Sequence, residues 1–182
     1  MPLMRILGGA LLLATLAGAD VRNCDCNAAR PESMTARECG LCREAEKQPA
    51  GNGVFFLKDI NPRKPNRWLA LPRLHTKGPH SFADLSSEQR TALWAAAIAK
   101  ARELWGDHWG LAVHGDDNRT QCHAHIHIGK LLDGIETSNF IVVNGPAEIP
   151  LVKDGGGFWI HREGNKLHVH MGESITETVL MR

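Results

Sequence analysis

Three histidines alternate with apolar residues in segment 123–128, which reads His-Ala-His-Ile-His-Ile. If this segment is a β-strand, its alternate side chains share one face, and the three imidazoles project together while the apolar residues pack behind them. At about 3.3 Å per residue, neighbouring histidines lie about 6.6 Å apart, so one phosphoryl group cannot contact all three in the same way. We therefore expect the central His125 to face the reacting atom, while His123 and His127 bind oxygens or orient its ring.

Two kinds of chemistry suit such a strand. A neutral histidine can attack a phosphorus atom and form a covalent phosphoramidate, which water then hydrolyses. Alternatively, His123, His125 and His127 bind a divalent metal ion, with His168 and His170 as further ligands, because imidazole suits zinc and copper.

The residues just upstream of the histidines favour phosphate over metal. Arg119, Thr120 and Gln121 supply a cation, a hydroxyl and an amide, which suit phosphate oxygens and add little to a metal site. We therefore predict a phosphate-handling site and keep metal binding as the alternative.

A long helix and several short strands must position these groups. Ser86-x-x-Gln89 has the form of a capping box and Gly106 stands where a helix would end, which predicts a helix over 86–105. Its tryptophans fall on an apolar face and are predicted to be core. Strands are predicted at 54–60, 67–71, 110–114, 123–130, 140–143, 158–161 and 166–170, with a further one at 176–180. This pattern predicts an α+β domain with a mainly antiparallel sheet.

The N-terminus predicts export. Arg5 precedes an apolar run that ends in Ala17-Gly18-Ala19, a small-residue cleavage site, so residues 1–19 are predicted to be a signal peptide. The run is too short to span a bilayer of roughly 30 Å comfortably. An uncleaved membrane anchor is the alternative. We expect a periplasmic or extracellular chain, with a cysteine-bearing segment at 20–52 and a single domain at 53–182.

The overall charge argues against a nucleic-acid partner. The net charge is +1, no run of lysine and arginine occurs, and aromatic residues are 5% of the chain. Electrostatic attraction to a phosphate backbone and stacking on bases are both poorly supported by such a composition.

Four cysteines in the N-terminal segment form a C-x-C and a C-x-x-C pair: Cys24, Cys26, Cys39 and Cys42. In an oxidising compartment they can form two disulfides in three different pairings. The same four thiolates could instead bind zinc. Cys122, beside the histidines, has no obvious partner.

Several motifs resemble the histidine-triad superfamily. Besides the alternating histidines, they are Cys39-Gly40-Leu41-Cys42, Leu57-Lys58-Asp59-Ile60-Asn61-Pro62 and Leu71-Pro72-Arg73-Leu74-His75. Three further stretches are similar to the CDP-diacylglycerol pyrophosphatase branch: Val54-Phe55-Phe56-Leu57-Lys58-Asp59, Leu111-Ala112-Val113 and Arg119-Thr120-Gln121 with the histidines that follow. The resemblance covers roughly residues 39–130.

This resemblance implies a histidine-triad-like catalytic domain at 53–182 and a role for each site residue. His125 would be the nucleophile, His127 would bind phosphate oxygens and His123 would position the site. Thr120 would contact the phosphate or the leaving group. His114 stands where the family usually has an asparagine that contacts ribose or phosphate.

The implied activity is hydrolysis of a phosphoanhydride, with release of a nucleoside monophosphate from CDP-diacylglycerol or a related nucleotide. The chemistry requires no cofactor, but the resemblance implies a structural zinc at Cys39, Cys42, His75 and His123. The expected partner is a nucleotide-containing small molecule or lipid, with transient membrane contact. The sequence leaves the oligomeric state open, with a homodimer as one option. The alternative function is an exported metal-binding protein without catalysis.

Overall fold

The computed structural model describes residues 21–51, 53–75, 77–152, 155–173 and 176–182. The predicted signal peptide at 1–19 lies outside these ranges. Within them, no helix combines the length and the apolar character that crossing a bilayer requires.

Seven strands and two α-helices form the described chain. The helices are α1 (Gly40–Glu46) and α2 (Ser87–Trp105). The strands are β1 (Val54–Lys58), β2 (Trp68–Pro72), β3 (Trp109–Val113), β4 (Ile126–Lys130), β5 (Phe140–Val143), β6 (Gly157–Glu163) and β7 (Lys166–Glu173). They pair in the order β1-β2-β4-β3-β6-β7-β5, and every pairing is antiparallel. The predicted α+β class with an antiparallel sheet is confirmed.

Helix α2 covers one face of the sheet. Ser86 is its N-cap and makes the reciprocal capping-box hydrogen bonds with Gln89, and Gly106 ends the helix with a φ of 59°. Trp94 is 2% exposed and packs between Phe82 and Phe158, with ring centroids 5.5 Å from each. Its predicted place in the core is confirmed, and this face is the hydrophobic core.

The opposite face carries a row of paired residues that crosses four strands. His127 pairs with Ala112, Ala112 with Trp159, and Trp159 with His170. The C-terminal segment lies over the middle of this row, where Leu180 packs against Ala112 and Trp159. The row therefore has two histidine-bearing ends with an apolar middle between them.

The predicted C-terminal strand at 176–180 is wrong, because this segment is a 3-10 helix, Thr176–Val179. The Thr176 hydroxyl donates to the carbonyl of Val113 at 2.8 Å, and Leu180 alone forms a bridge, with Leu131. Packing across the sheet rather than along an edge strand determines its conformation.

One disulfide joins the N-terminal segment to the loop before β4, and a second disulfide lies within the segment. Cys24 is bonded to Cys122 and Cys26 to Cys39, while Cys42 is a buried free thiol. The predicted zinc site at four cysteines is therefore wrong, since three of the four thiolates are used in disulfides. The pairing also differs from all three that were expected, because Cys122 takes part and Cys42 does not.

Candidate active site

The three alternating histidines do not lie along one strand. Strand β4 begins at Ile126, so His127 belongs to the strand and both His123 and His125 precede it. The ring centroids of His125 and His127 are 5.0 Å apart, whereas the ring of His123 lies 5.6 Å from that of His75. The prediction of a single strand face that carries all three imidazoles is wrong.

Loop contacts replace strand pairing upstream of β4. The N–H of Cys122, whose sulfur is bonded to Cys24, donates to the carbonyl of Glu38 at 2.8 Å. The N–H of Ala124 donates to the carbonyl of Pro79 at 3.1 Å. These partners come from distant parts of the chain, so the alternation of residue types does not reveal them.

The backbone of His123 orients the ring of His125. The Nδ1 atom of His125 lies 2.7 Å from the carbonyl oxygen of His123. Because a carbonyl only accepts hydrogen bonds, Nδ1 carries the proton and Nε2 carries the lone pair. Burial lowers the pKa of His125 to about 4, so the ring is neutral at neutral pH, as a histidine nucleophile must be.

His127 and His114 face the carboxylate of Glu177. The Nδ1 of His127 and the Nε2 of His114 each lie 3.6 Å from one of its oxygens. Both ring nitrogens of His127 are buried without a hydrogen bond, and burial holds its pKa well below the ordinary value. A buried donor without a partner is costly, so His127 is prepared to bind a ligand.

Glu177 is a site residue that the sequence did not reveal. Burial opposes its ionisation, but contacts with His114, His127 and Lys64 outweigh burial and hold the pKa of this carboxyl below its ordinary value. It also lies 3.2 Å from the guanidinium of Arg67, a residue that is 1% exposed. Glu177 is fifty positions downstream of the histidines, and no local motif marks it.

A cleft of about 800 Å³ opens beside these groups. A volume of this size accommodates a ligand of nucleotide size. The predicted site residues that line it are His114, Thr120, Gln121, His125 and His127, and Glu177 joins them. Among the described residues, Arg119 and His123 line a smaller neighbouring cavity of about 150 Å³ instead, which His114 and His125 also border.

Arg119 holds the loop that precedes β4. Its Nε donates to Asp116 at 2.7 Å, and its Nη1 donates to the carbonyls of His80 at 2.6 Å and Cys122 at 3.0 Å. In this arrangement the guanidinium orients the histidine-bearing loop. Arg119 is not among the residues that line the larger cleft, where the predicted contact with phosphate would be made.

Gln121 also makes contacts within the protein. Its Oε1 accepts from the N–H of Leu41 at 3.0 Å, and its Nε2 donates to the carbonyl of Arg37 at 3.1 Å. It therefore joins α1 to the wall of the cleft. Thr120 is exposed in this wall, so its hydroxyl is accessible to a ligand.

Three histidine-containing groups in the described ranges bring ligand atoms within 4.8 Å of one another without using a disulfide sulfur. They are Cys42 with His75 and His123; His114 with His127 and Glu177; and Glu136 with His161, His168 and His170. The structure thus contains clusters that could bind a metal ion. Cys39 is missing from the first group because its sulfur is bonded to Cys26, which corrects the predicted set of four ligands.

Stability should fall as the pH falls below about 6.5. In the folded chain burial lowers the pKa of His123 to about 3 and that of His125 to about 4, whereas an unfolded chain protonates its histidines near pH 6.5. The stabilisation is complete above pH 6.5 and is lost between pH 6.5 and about 4, because only the unfolded state takes up these protons there. Urea unfolding at several pH values measures this loss, and a flat profile over that range would contradict it.

Comparison with protein-family models and with curated proteins gives no match for this sequence. A function for the chain therefore rests on its own residues and their geometry. A function must explain the oriented neutral His125, the His127 ring whose buried nitrogens make no hydrogen bond, and the cleft beside them.

Proposed function

We propose that this chain is an exported phosphoanhydride hydrolase of the histidine-triad type, which releases a nucleoside monophosphate through a covalent intermediate on His125. The hydrogen bond from the Nδ1 of His125 to the carbonyl of His123 carries this proposal. It fixes the tautomer, so the lone pair of Nε2 is available without removal of a proton.

In the first step, the Nε2 of His125 attacks the phosphorus of the nucleoside monophosphate unit, and the bond from phosphorus to the bridging oxygen breaks. The leaving phosphate departs with the bonding electrons. The ring gains positive charge, which the carbonyl of His123 stabilises through the Nδ1–H. In the second step, water attacks phosphorus and loses a proton to the solvent, the P–N bond breaks, and His125 recovers its lone pair.

The phosphoryl oxygens need donors while the reaction proceeds. His127 offers ring nitrogens without partners, and Thr120 offers an exposed hydroxyl in the same cleft. His114 lies beside His127, with ring centroids 5.0 Å apart. Glu177 contacts both imidazoles and orients them toward the substrate.

The cleft fits a nucleotide that carries an apolar group. Leu41, Leu57 and Leu69 line it together with the cationic Lys58 and Lys64. Ile60, at its rim, is 98% exposed. Apolar and cationic groups side by side support CDP-diacylglycerol or a related nucleotide as the substrate, with transient contact between the rim and a membrane.

A structural zinc is supported at Cys42, His75 and His123. The Nδ1 of His75 lies 2.7 Å from Glu46 and the Nε2 of His123 lies 2.8 Å from the carbonyl of Pro72, so the other nitrogen of each ring is left buried without a hydrogen bond. Burial raises the pKa of the Cys42 thiol to about 12, and zinc would supply the charge that deprotonates it. The hydrolytic steps above do not use this ion.

The test is turnover of a phosphoanhydride panel by purified protein. CDP-diacylglycerol in detergent and water-soluble dinucleoside polyphosphates are each assayed for nucleoside monophosphate, with and without a chelator. We expect turnover of at least one substrate, and the same rate with the chelator. If none is turned over while the protein binds stoichiometric zinc, the metal-binding alternative, which the histidine clusters favour, replaces the hydrolase.

A further inference from the structure

A second cluster of histidines lies at the other end of the sheet face that carries His127. His161 in β6 is the cross-strand partner of His168 in β7, and His170 is two residues further along β7. These positions place the three imidazoles on one face of the β6–β7 hairpin. Glu136, in the connection between β4 and β5, approaches all three.

The ligand atoms of this cluster converge. The carboxylate oxygens of Glu136 lie 2.7 Å from the Nε2 of His161, 2.9 Å from the Nδ1 of His168 and 3.4 Å from the Nε2 of His170. Ligand atoms bound about 2.0–2.1 Å from a tetrahedral zinc are about 3.3 Å apart, by simple geometry. The 3.4 Å separation matches that value, and the 2.7 and 2.9 Å separations are shorter by about half an ångström, which a small shift of the exposed carboxylate corrects.

Hydrogen bonds on the far side of two rings leave lone pairs that face the cluster. The Nδ1 of His161 lies 3.2 Å from the carbonyl of Arg162, and that of His170 lies 2.9 Å from the hydroxyl of Thr137. If each Nδ1 donates its proton there, each Nε2 carries a lone pair. Both Nε2 atoms are buried and neither makes a hydrogen bond of acceptable geometry, although Glu136 is close.

The cluster is rigid on one side and open on the other. His170 is completely buried, and its ring stacks on Trp159 with centroids 3.6 Å apart and planes 3° apart. The side chain of Glu136 is 47% exposed and borders a surface cleft of about 510 Å³. Preoriented imidazoles with one accessible carboxylate give a hydrated cation a route to the site.

We propose that Glu136, His161, His168 and His170 form a binding site for a divalent transition-metal ion, with zinc as the preferred ion. Three imidazoles and a carboxylate match the nitrogen and oxygen donors that zinc takes in proteins. The bound ion joins the β4–β5 connection to the β6–β7 hairpin and satisfies the two buried nitrogens.

This site is separate from the one proposed for hydrolysis. His170 and His127 lie on strands three intervals apart in the sheet, which is about 14 Å at the usual strand spacing. Val179 and Leu180 pack on the sheet between them. A metal ion at this cluster therefore cannot contact the reacting phosphorus. The structure also does not bring together the five histidines that the sequence offered as one metal site, which are His123, His125, His127, His168 and His170.

Zinc binding by purified protein tests the proposal. Protein stripped with a chelator is dialysed against buffered zinc, and bound zinc per chain is measured for the unaltered protein, Glu136→Gln and His168→Gln. We expect each variant to bind one zinc ion fewer per chain, or to bind zinc more weakly. Loss of a group that only supports a ligand weakens binding roughly 10–100-fold, and loss of a ligand itself should weaken it by more than that. The exposed His108, which borders the same cleft, provides the matched control His108→Gln, and it should bind as the unaltered protein does.

Cobalt(II) provides a second measurement. In a Cys42→Ala background, cobalt should give visible ligand-field bands without thiolate charge transfer, and Glu136→Gln should reduce them. His125→Asn should leave the zinc at this cluster unchanged, so a failure here is distinct from a failure of the proposed hydrolase. Full zinc content with the affinity of the unaltered protein, in both Glu136→Gln and His168→Gln, would overturn the proposal.

Discussion

Replacement of His125 by asparagine should abolish turnover of the best phosphoanhydride substrate, with a rate at least about a thousandfold lower. Loss of a covalent nucleophile commonly costs this much or more, because binding and charge stabilisation alone cannot replace the covalent step. The measurement is kcat for release of nucleoside monophosphate under saturating substrate.

Two controls separate chemistry from folding. Asparagine is smaller than histidine and keeps an N–H group that can donate to the carbonyl of His123. The far-UV spectrum and the unfolding midpoint should therefore change little. His108→Asn alters an exposed histidine outside the cleft and should retain full activity. A His125→Asn enzyme within tenfold of the unaltered rate would exclude His125 as the nucleophile.

Removal of the disulfide between Cys24 and Cys122 should cause the largest loss of stability. The two cysteines are 98 positions apart, and closing a loop of that length is worth about 4–5 kcal/mol on chain-entropy grounds. The double variant Cys24→Ala/Cys122→Ala should therefore lose several kcal/mol of unfolding free energy in urea titrations. Activity should fall as well, because Cys122 directly precedes His123.

The second disulfide provides the matched comparison. Cys26 and Cys39 are 13 positions apart, so the shorter loop that their bond closes is worth about 3 kcal/mol. Cys26→Ala/Cys39→Ala should be the milder variant. Equal losses for the two double variants, or a loss below about 1 kcal/mol for the long loop, would contradict stabilisation by loop closure.

Local patterns in the sequence predicted the elements of the fold well. The capping box at Ser86 and the stop at Gly106 bound α2 in the structure. The alternation around Ile126 and Ile128 placed these two residues in the core beneath α2, where both are completely buried. Such signals depend on neighbours within a few positions, which is why sequence suffices for them.

Long-range contacts were the part that sequence could not predict. Cys122 forms a disulfide with Cys24 because the loop before β4 packs on the N-terminal segment. Glu177 reaches the histidines through a 3-10 helix that packs across the sheet, whereas residue types alone suggested a strand. The second histidine cluster requires the register of β6 and β7, which no spacing along the chain encodes.

The stereochemistry of hydrolysis at phosphorus distinguishes a covalent intermediate on His125 from a direct attack by water. A substrate made chiral at the phosphorus of the nucleoside monophosphate unit with sulfur and oxygen isotopes is hydrolysed in labelled water, and the configuration of the product is determined. Attack by His125 followed by attack by water is two in-line displacements, so we expect net retention. Inversion would show a single direct attack by water and would contradict a covalent intermediate on His125.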